Sequence, residues 1–307
     1  PWLSIRSGSA RRWSGDDQRC GLRLDPDLDR QLRDHNAVLL AMTVVHGMTA
    51  SDQPKIRIRD LNKAFGGNQV LRGLDLEIAV GESVVVIGGS GTGKSVLIKS
   101  LVGLVEPDSG TIELDGEPIT GLSKSTRETI MGRFGLLFQN GALFDSVSVL
   151  DNVVFGLVSA RGKPIAEAKV TAMEKLAQVG LDESVASMFP AELSGGMRKR
   201  VALARTIATE PDILLFDEPT TGLDPVMGDV INQLIIKCVR ELGASALTIT
   251  HDMESAKRIG DRIAMLYDGR IIWVGPAQTV DASGNDHVDQ FVNGRVDGPI
   301  AFGTRRH

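Results

Sequence analysis

The segment SVVVIGGSGTGKSVLIKSLVGL, residues 83–104, constrains the fold of this chain more than any other stretch. A β-branched run leads into a glycine-rich loop, and apolar residues then recur at helical spacing, which predicts strand, loop and helix in succession. The loop matches G-x-x-x-x-G-K-S, in which backbone N–H groups converge on phosphate oxygens at a helix N-terminus. The predicted phosphate-binding residues are Gly88, Gly89, Ser90, Gly91, Thr92, Gly93, Lys94 and Ser95.

A loop of this kind needs carboxylates at the end of a neighbouring strand, and DILLFDEP, residues 212–219, supplies two of them. The apolar residues 213–216 predict a buried parallel strand, and ligands bind beyond the carboxyl ends of such strands. We expect Lys94 to reach the β and γ phosphates, and Ser95 and Asp217 to hold Mg²⁺. Glu218 is then the predicted general base that activates the attacking water.

Two further polar residues follow apolar strands and are predicted to face the same site. Gln139 ends FGLLFQ, where its amide can ligate Mg²⁺ or position a water. His251 follows ASALTIT, and by the same end-of-strand geometry it can face the γ-phosphate. A single histidine at a strand end is more often structural, so this prediction depends on the neighbouring motifs.

A second glycine turn, LSGGM at residues 193–197, predicts another helix N-terminus that points outward. Ser194 is placed as an N-cap, and Gly195 and Gly196 permit close approach of a ligand to the backbone. This helix end has free N–H groups but no lysine or Mg²⁺ ligand of its own. We therefore expect a head-to-tail homodimer, in which this turn on one chain closes over the γ-phosphate held by Lys94 of the other.

Composition excludes several classes of partner and location. The formal net charge of −5 and the pI near 5.6 argue against nucleic acid as the main partner. Cys20 and Cys238 lie in unrelated segments without metal-ligand spacing, which favours a reducing compartment. No apolar run approaches the roughly 18 residues of a membrane span, and no signal peptide is predicted.

The beginning of the chain differs from the rest in composition. Residues 1–47 mix Arg and Asp without period or motif, and we expect them to be disordered or a non-native extension, with Met48 as the start. A genuine N-terminal arm is the alternative.

These motifs, in this order, resemble those of the ATP-binding cassette (ABC) ATPases: GGSGTGKS, Gln139, LSGGM, LLFDEP, TGLDP and His251. The resemblance implies ATP as the nucleotide and an α/β fold, with a RecA-like P-loop NTPase core and an inserted helical subdomain. The corresponding boundaries are 48–275 for the ATPase domain and about 140–200 for the helical subdomain.

The same resemblance assigns roles to further residues. Phe65 resembles the aromatic that stacks on adenine, although a strand-end Phe is as often part of a core. Asp224 resembles the acid at the dimer seam, and Ser194, Gly195 and Gly196 the turn that contacts ATP across it. Met197 departs from the family, because many members have Gln there.

Three segments narrow the resemblance to the ATPase subunits of Mla/Mce-type lipid transporters: LSGGMRKR, FQNGALFDSVSVLDNV and QFVNGRVDGPIAF. This resemblance implies an integral membrane permease, a Mce-domain protein, phospholipid cargo and a location at the cytoplasmic face of the inner membrane. Independently, we expect an apolar surface after Gln139 to dock a permease helix, unless the same side chains fill the helical core. Its residues are Leu143, Phe144, Val147 and Val149.

Two alternative functions share part of this pattern. A soluble ABC protein of DNA repair or translation is disfavoured, since the chain has no second P-loop and no sustained heptads. An ABC ATPase for a small polar solute or a drug shares every catalytic residue, so this alternative stays open.

The tail, residues 276–307, belongs to no catalytic motif. From residue 286 onward it carries scattered apolar side chains, which we expect to contact the partner cassette. Folding back on its own chain, or disorder, is the alternative.

Overall fold

Two β-sheets organise the chain, and the computed structural model describes residues 53–300. The predictions for residues 1–47, Met48 and Cys20 lie outside the described residues, as does the end of the tail from 301. No helix within 53–300 is long and apolar enough to cross a membrane.

Strands and helices alternate along much of residues 53–300. The strands are β1 (Ile56–Phe65), β2 (Asn68–Ile78), β3 (Ser83–Ile87), β4 (Ser109–Leu114), β5 (Glu117–Pro118), β6 (Phe134–Leu137), β7 (Ile213–Asp217), β8 (Ser245–Ile249), β9 (Arg262–Tyr267) and β10 (Arg270–Pro276). The helices are α1 (Lys94–Leu101), α2 (Lys124–Met131), α3 (Val149–Ser159), α4 (Ile165–Gln178), α5 (Gly195–Ala208), α6 (Pro225–Leu242), α7 (Met253–Ile259) and α8 (Asp286–Val292). Short 3-10 helices span Glu183–Ser187, Pro190–Glu192 and Ala277–Ala282.

The larger sheet has six strands in the order β10-β9-β3-β8-β7-β6. Its strands from β9 to β6 are parallel, and β10 pairs antiparallel with β9 at one edge. Both faces of a parallel sheet are covered, which explains why β3 and β7 are largely apolar and why every residue of β8 is buried. The carboxyl ends of β3, β6, β7 and β8 therefore meet along one edge, where the predicted site residues follow them.

The second sheet is antiparallel, with four strands in the order β2-β1-β4-β5. Successive side chains of β3 point to opposite faces of the sheet, so alternate residues of this strand pack in two different apolar clusters. Val84 and Val86 pack in the cluster that also takes the inner residues of the antiparallel sheet. Val85 and Ile87 pack in the cluster that takes the helices.

Helices α3, α4 and α5 pack against one another, and α5 also contacts β6 and α6. These helices occupy most of the region predicted as the inserted subdomain, whose boundaries stay a prediction. Because α5 begins with the Ser-Gly-Gly turn, it connects that turn to the sheet.

A cluster of ion pairs joins the two sheets. Lys55 lies 2.8 Å from Asp212 and 3.2 Å from Asp115, and Arg133 contacts both carboxylates. Burial raises the pKa of Asp212, but the hydrogen bonds from Arg133 and Lys55 outweigh it and leave the pKa below its usual value. Both carboxylates are 42% exposed, so the contribution of the cluster to stability is about 1 kcal/mol or less.

The tail folds back on its own chain as far as residue 300, the second of the two alternatives. Val288 is fully buried, and Phe291, Val292 and Ile300 pack against the helical cluster. Gln290 fixes the turn after α8, because its Oε1 accepts from the Ile300 N–H at 2.6 Å. The apolar area expected to face a partner is thus largely used within the chain, and contact with a partner stays a prediction.

Candidate functional site

The phosphate-binding loop follows β3 and requires glycine at two positions for steric reasons. A Cβ on Gly88, where φ is +154°, would lie 2.3 Å from the backbone oxygen of Leu266. A Cβ on Gly93, where φ is +106°, would lie 2.9 Å from Leu71 Cδ2. At both positions a side chain would collide with a neighbouring strand, and the backbone angles disfavour residues other than glycine. The two glycines therefore allow the loop to lie close to β9 and β2.

Lys94 opens α1 and turns its ammonium into the loop. Nζ donates to the backbone oxygens of Gly88 and Gly89, each at 2.8 Å. Burial lowers the pKa of Lys94, against the opposing charges of Glu218 and Asp217. Carbonyl oxygens are weak partners for a buried cation, and a phosphate oxygen would be a stronger one. The loop therefore fits a phosphate at this point.

Asp217 ends β7 beside Ser95, whose hydroxyl donates to Asp217 Oδ1 at 3.4 Å. Burial raises the pKa of Asp217; the Ser95 bond lowers it, and the charge of Glu218 raises it further. Asp217 supplies a carboxylate oxygen and Ser95 a hydroxyl oxygen. Mg²⁺ takes oxygen ligands of this kind together with substrate phosphates. The donor set fits that ion.

Glu218 has a left-handed backbone, with φ +52°. Its N–H donates to the Ile249 carbonyl at 2.9 Å, and its Oε2 accepts from Thr221 Oγ1 at 2.8 Å. His251 Nδ1 lies 2.8 Å from the same Oε2. A non-glycine residue in this region of φ is strained, and such strain persists where surrounding contacts fix the residue. The carboxylate is therefore held in one orientation.

One cleft of about 640 Å³ brings most of the predicted residues together. Lys94, Gln139, Glu218 and His251 line it with the tip of the loop, and Asp217 reaches it through Ser95. The lining also includes the apolar Val70 and Phe291. The cleft thus combines a phosphate cradle, a paired carboxylate site and an apolar wall.

Phe65 lies outside this arrangement. Phe65 is 47% exposed, and the Lys63 ammonium lies 5.4 Å from its ring centroid. The described residues that line the cleft include Val70 and Phe291 but not Phe65. The adenine contact of Phe65 stays a prediction.

The Ser-Gly-Gly turn is placed as its sequence indicates. Ser194 caps α5 by accepting from the Met197 N–H at 3.2 Å, and the helix begins at Gly195. Asp224 likewise caps α6, accepting from the N–H groups of Val226 and Met227 at 3.0 Å. Within residues 53–300, the lining of the P-loop cleft does not include Ser194, Gly195, Gly196 or Asp224.

Lys199 contacts two site residues, although the sequence analysis assigned it no role. Its side chain lies 6% exposed on α5 and donates to the backbone oxygen of Gln139 and, at 3.3 Å, to that of Glu218. The helical period could have indicated that Lys199 is buried, because it lies on the same face of α5 as Gly196, Leu203 and Ile207.

A buried polar network centred on Ser255 was also missed. Asn232 Nδ2 donates to Ser255 Oγ at 2.9 Å, and Ser255 Oγ donates to Asp252 Oδ2 at 2.5 Å. Thr220 Oγ1 lies 3.3 Å from the same Ser255 oxygen. The network links α6, which follows Asp224, to the residue after His251.

The surface predicted for a permease is partly corrected. Val149 is fully buried in the helical cluster and is not available for docking. Leu143 and Val147 are partly buried, and Phe144 is exposed. Phe144 meets Phe155 edge to face at 4.9 Å between centroids, so an aromatic pair stands at this surface.

A sequence model of the ABC transporter family matches residues 71–221 of this chain. The chain is 41% identical over 253 residues to the "Probable ribonucleotide transport ATP-binding protein mkl" of Mycobacterium leprae, covering 82% of this chain and 72% of that one. It is 42% identical over 275 residues to "TRIGALACTOSYLDIACYLGLYCEROL 3, chloroplastic" of Arabidopsis thaliana, covering 83% and 78%. The phospholipid transport ATP-binding protein MlaF of Escherichia coli K12 is 38% identical over 247 residues, covering 80% and 91%.

A solved ATP-binding cassette shares the fold. It is a dimer in a post-hydrolysis state bound to ADP and phosphate, 32% identical, with a TM-score of 0.67 over 72% of this chain and 98% of that one. The chain belongs to the ABC transporter ATP-binding proteins. It is an ATP-binding, ATP-hydrolysing subunit with the α/β P-loop fold of that family.

Proposed function

We propose that Glu218 is the general base of ATP hydrolysis, within a site where Ser95, Gln139 and Asp217 hold Mg²⁺. The observation that supports this most is the convergence of Lys94, Gln139, Glu218 and His251 on one cleft. Held by the oxygens of Ser95, Gln139 and Asp217, Mg²⁺ would supply positive charge against the phosphates during hydrolysis. Lys94 supplies a cation next to the loop backbone, and the glycine loop supplies N–H donors.

The orientation of Glu218 supports its role as base. His251 and Thr221 both contact Oε2, so these two contacts fix one carboxylate oxygen. A positioned carboxylate can take a proton from water in the transition state, which typically contributes about 10²–10⁴-fold to a rate. His251 acts in this proposal by orienting Glu218 and by facing the phosphate end of the cleft.

The complete site is composite, formed by two copies of the chain. Ser194, Gly195 and Gly196 stand at a capped helix N-terminus outside the P-loop cleft of their own chain. Such an end favours an anion, and the related cassette bound to ADP and phosphate was solved as a dimer. Asp224 would then lie at the seam between the two copies.

The cargo we propose is a phospholipid, moved through a separate permease with a Mce-domain protein. The names of two relatives, MlaF and the Arabidopsis protein, refer to lipids, and the tail segment QFVNGRVDGPIAF supports the same class. The chain would work at the cytoplasmic face of the inner membrane, with the exposed Phe144–Phe155 pair as one contact for a permease helix.

The name of the mycobacterial relative refers to ribonucleotide transport, so a polar cargo is the second candidate. Affinity purification of the tagged full chain from membranes tests the choice. We expect a multi-spanning permease and a Mce-domain protein to co-purify, and the complex to move labelled phospholipid between vesicles on ATP addition. Recovery of a solute-binding protein instead, with no lipid movement, would support the polar cargo.

A further inference from the structure

Lys199 presents a buried charge that the proposed catalytic roles do not use. It is 6% exposed, on the second turn of the helix that begins with the Ser-Gly-Gly turn. Burying an ammonium group is costly unless hydrogen bonds compensate for the lost water. The acceptors of Lys199 are therefore informative about why a cation stands there.

Both acceptors are backbone oxygens of residues in the catalytic cleft. Nζ donates to the carbonyl of Gln139, beyond the end of β6, and to the carbonyl of Glu218, directly after β7, at 3.3 Å. These two residues supply a polar amide and the proposed base to one cleft. One ammonium group thus bridges the two strand-end segments, although Lys199 is not among the described residues that line the cleft.

The backbone of Glu218 needs such support. Its φ of +52° is a strained conformation for glutamate, and the orientation of its carboxylate depends on that backbone. A displacement of about 1 Å in a catalytic group costs roughly a hundredfold in rate. A contact that fixes the carbonyl of Glu218 therefore acts on turnover without touching the nucleotide.

From this geometry we infer that Lys199 is a positioning residue, which sets the spacing of Gln139 and Glu218 and ties both to the α5 helix. The inference rests on the proposed role of Glu218. Because α5 starts at Gly195, a shift of that turn moves the Nζ that holds both carbonyls. Lys199 then links the position of the Ser-Gly-Gly turn to the geometry of hydrolysis.

Lys199→Met tests the inference, because methionine matches the length of lysine without its hydrogen bonds. The substitution removes the cost of burying an ammonium group but leaves two carbonyls without their donor, so its two effects on stability oppose each other. We expect the full chain, purified with its membrane partners, to keep its melting temperature and its KM for ATP within about threefold, while kcat falls at least about tenfold. Lys199→Gln retains one amide donor and should recover part of kcat.

Arg200→Met is the matched control, since Arg200 is the next residue of α5 and donates to the Gly180 carbonyl at 2.9 Å, and neither residue lines the cleft. It should keep kcat within about twofold. If Lys199→Met and Lys199→Gln both match Arg200→Met in kcat, or lose only stability, the inference is wrong. Glu218→Gln, measured in parallel, distinguishes failure of the proposed base from failure of the Lys199 inference. Full turnover in Glu218→Gln overturns the proposed base. Loss of turnover in Glu218→Gln, together with normal turnover in Lys199→Met, overturns only the role of Lys199.

Discussion

His251 Nδ1 lies 2.8 Å from Glu218 Oε2, the oxygen that also accepts a hydrogen bond from Thr221. The two partners differ in exposure, since the histidine side chain is 60% exposed and the glutamate 13%. An exposed side chain therefore contacts a largely buried carboxylate, and both residues line the cleft. Two contacts on one oxygen fix the orientation of the Glu218 carboxylate.

His251→Ala removes one of the two contacts that orient Glu218. We expect kcat for ATP hydrolysis to fall about ten- to a hundredfold while ATP binding changes little, because the phosphate cradle is untouched. Steady-state kinetics and nucleotide-binding titration measure the two quantities separately. His287→Ala, in the tail helix against Tyr267, is the control and should keep kcat. An equal loss of binding and turnover in His251→Ala would contradict the orienting role.

Ser255→Ala cuts the buried network between α6 and the residue after His251. The Asn232 amide, the Asp252 carboxylate and the Thr220 hydroxyl each lose a partner, and Asn232 is buried. Leaving a buried polar group unpaired costs about 1–3 kcal/mol. Urea unfolding should show a loss of this size, which Ser255→Thr should partly restore. A stability equal to wild type would show that water replaces the hydroxyl.

The sequence predicted the phosphate loop and the strand-end acids because each depends on local pattern. A glycine spacing, a β-branched run and an acid at a strand end are all contained in short segments. Lys199, Asn232 and Ser255 were missed, since their partners are distant in sequence and become neighbours only through the order of strands β6, β7 and β8.

Other differences from expectation concern burial, which local pattern does not determine well. Val149 reads as an apolar residue after a loop, yet it starts α3 and lies fully within the helical core. The tail has too little apolar area to fold alone, but its apolar side chains pack against the core of its own chain. The hydrogen bond between Gln290 and Ile300 closes the turn after α8. Such long-range fits depend on the assembled sheet.

Asp212→Asn tests the ion cluster between the two sheets through pH. The pKa of Asp212 is lowered in the folded chain, so its ionised form stabilises the fold above the unfolded pKa and this contribution is lost as pH falls. We expect the variant to be less stable than wild type by about 1 kcal/mol or less at pH 7. The difference should shrink as the pH falls below about 4. Denaturant unfolding that gives a constant difference across this range would contradict the assignment.

Complementation between two inactive chains tests the composite site. Lys94→Ala removes the cradle lysine, and Ser194→Arg blocks the helix end proposed to act on the other chain. A mixed dimer has one site with both defects and one intact site, so an equal mixture should recover roughly one quarter of the wild-type ATPase rate. Each variant alone is the control. A mixture no more active than either variant would contradict a site shared between chains.

Glu218→Gln tests most directly the claim that this cleft hydrolyses ATP with Glu218 as its base. The amide keeps the size of the side chain but takes no proton, so we expect ATP binding within about threefold of wild type and turnover at least about a hundredfold lower. Glu174→Gln, at an exposed position on α4, controls for the loss of a carboxylate and should keep full activity. Single-turnover hydrolysis of bound ATP is the measurement: a near-complete block in Glu218→Gln supports the account, and hydrolysis at the wild-type rate contradicts it.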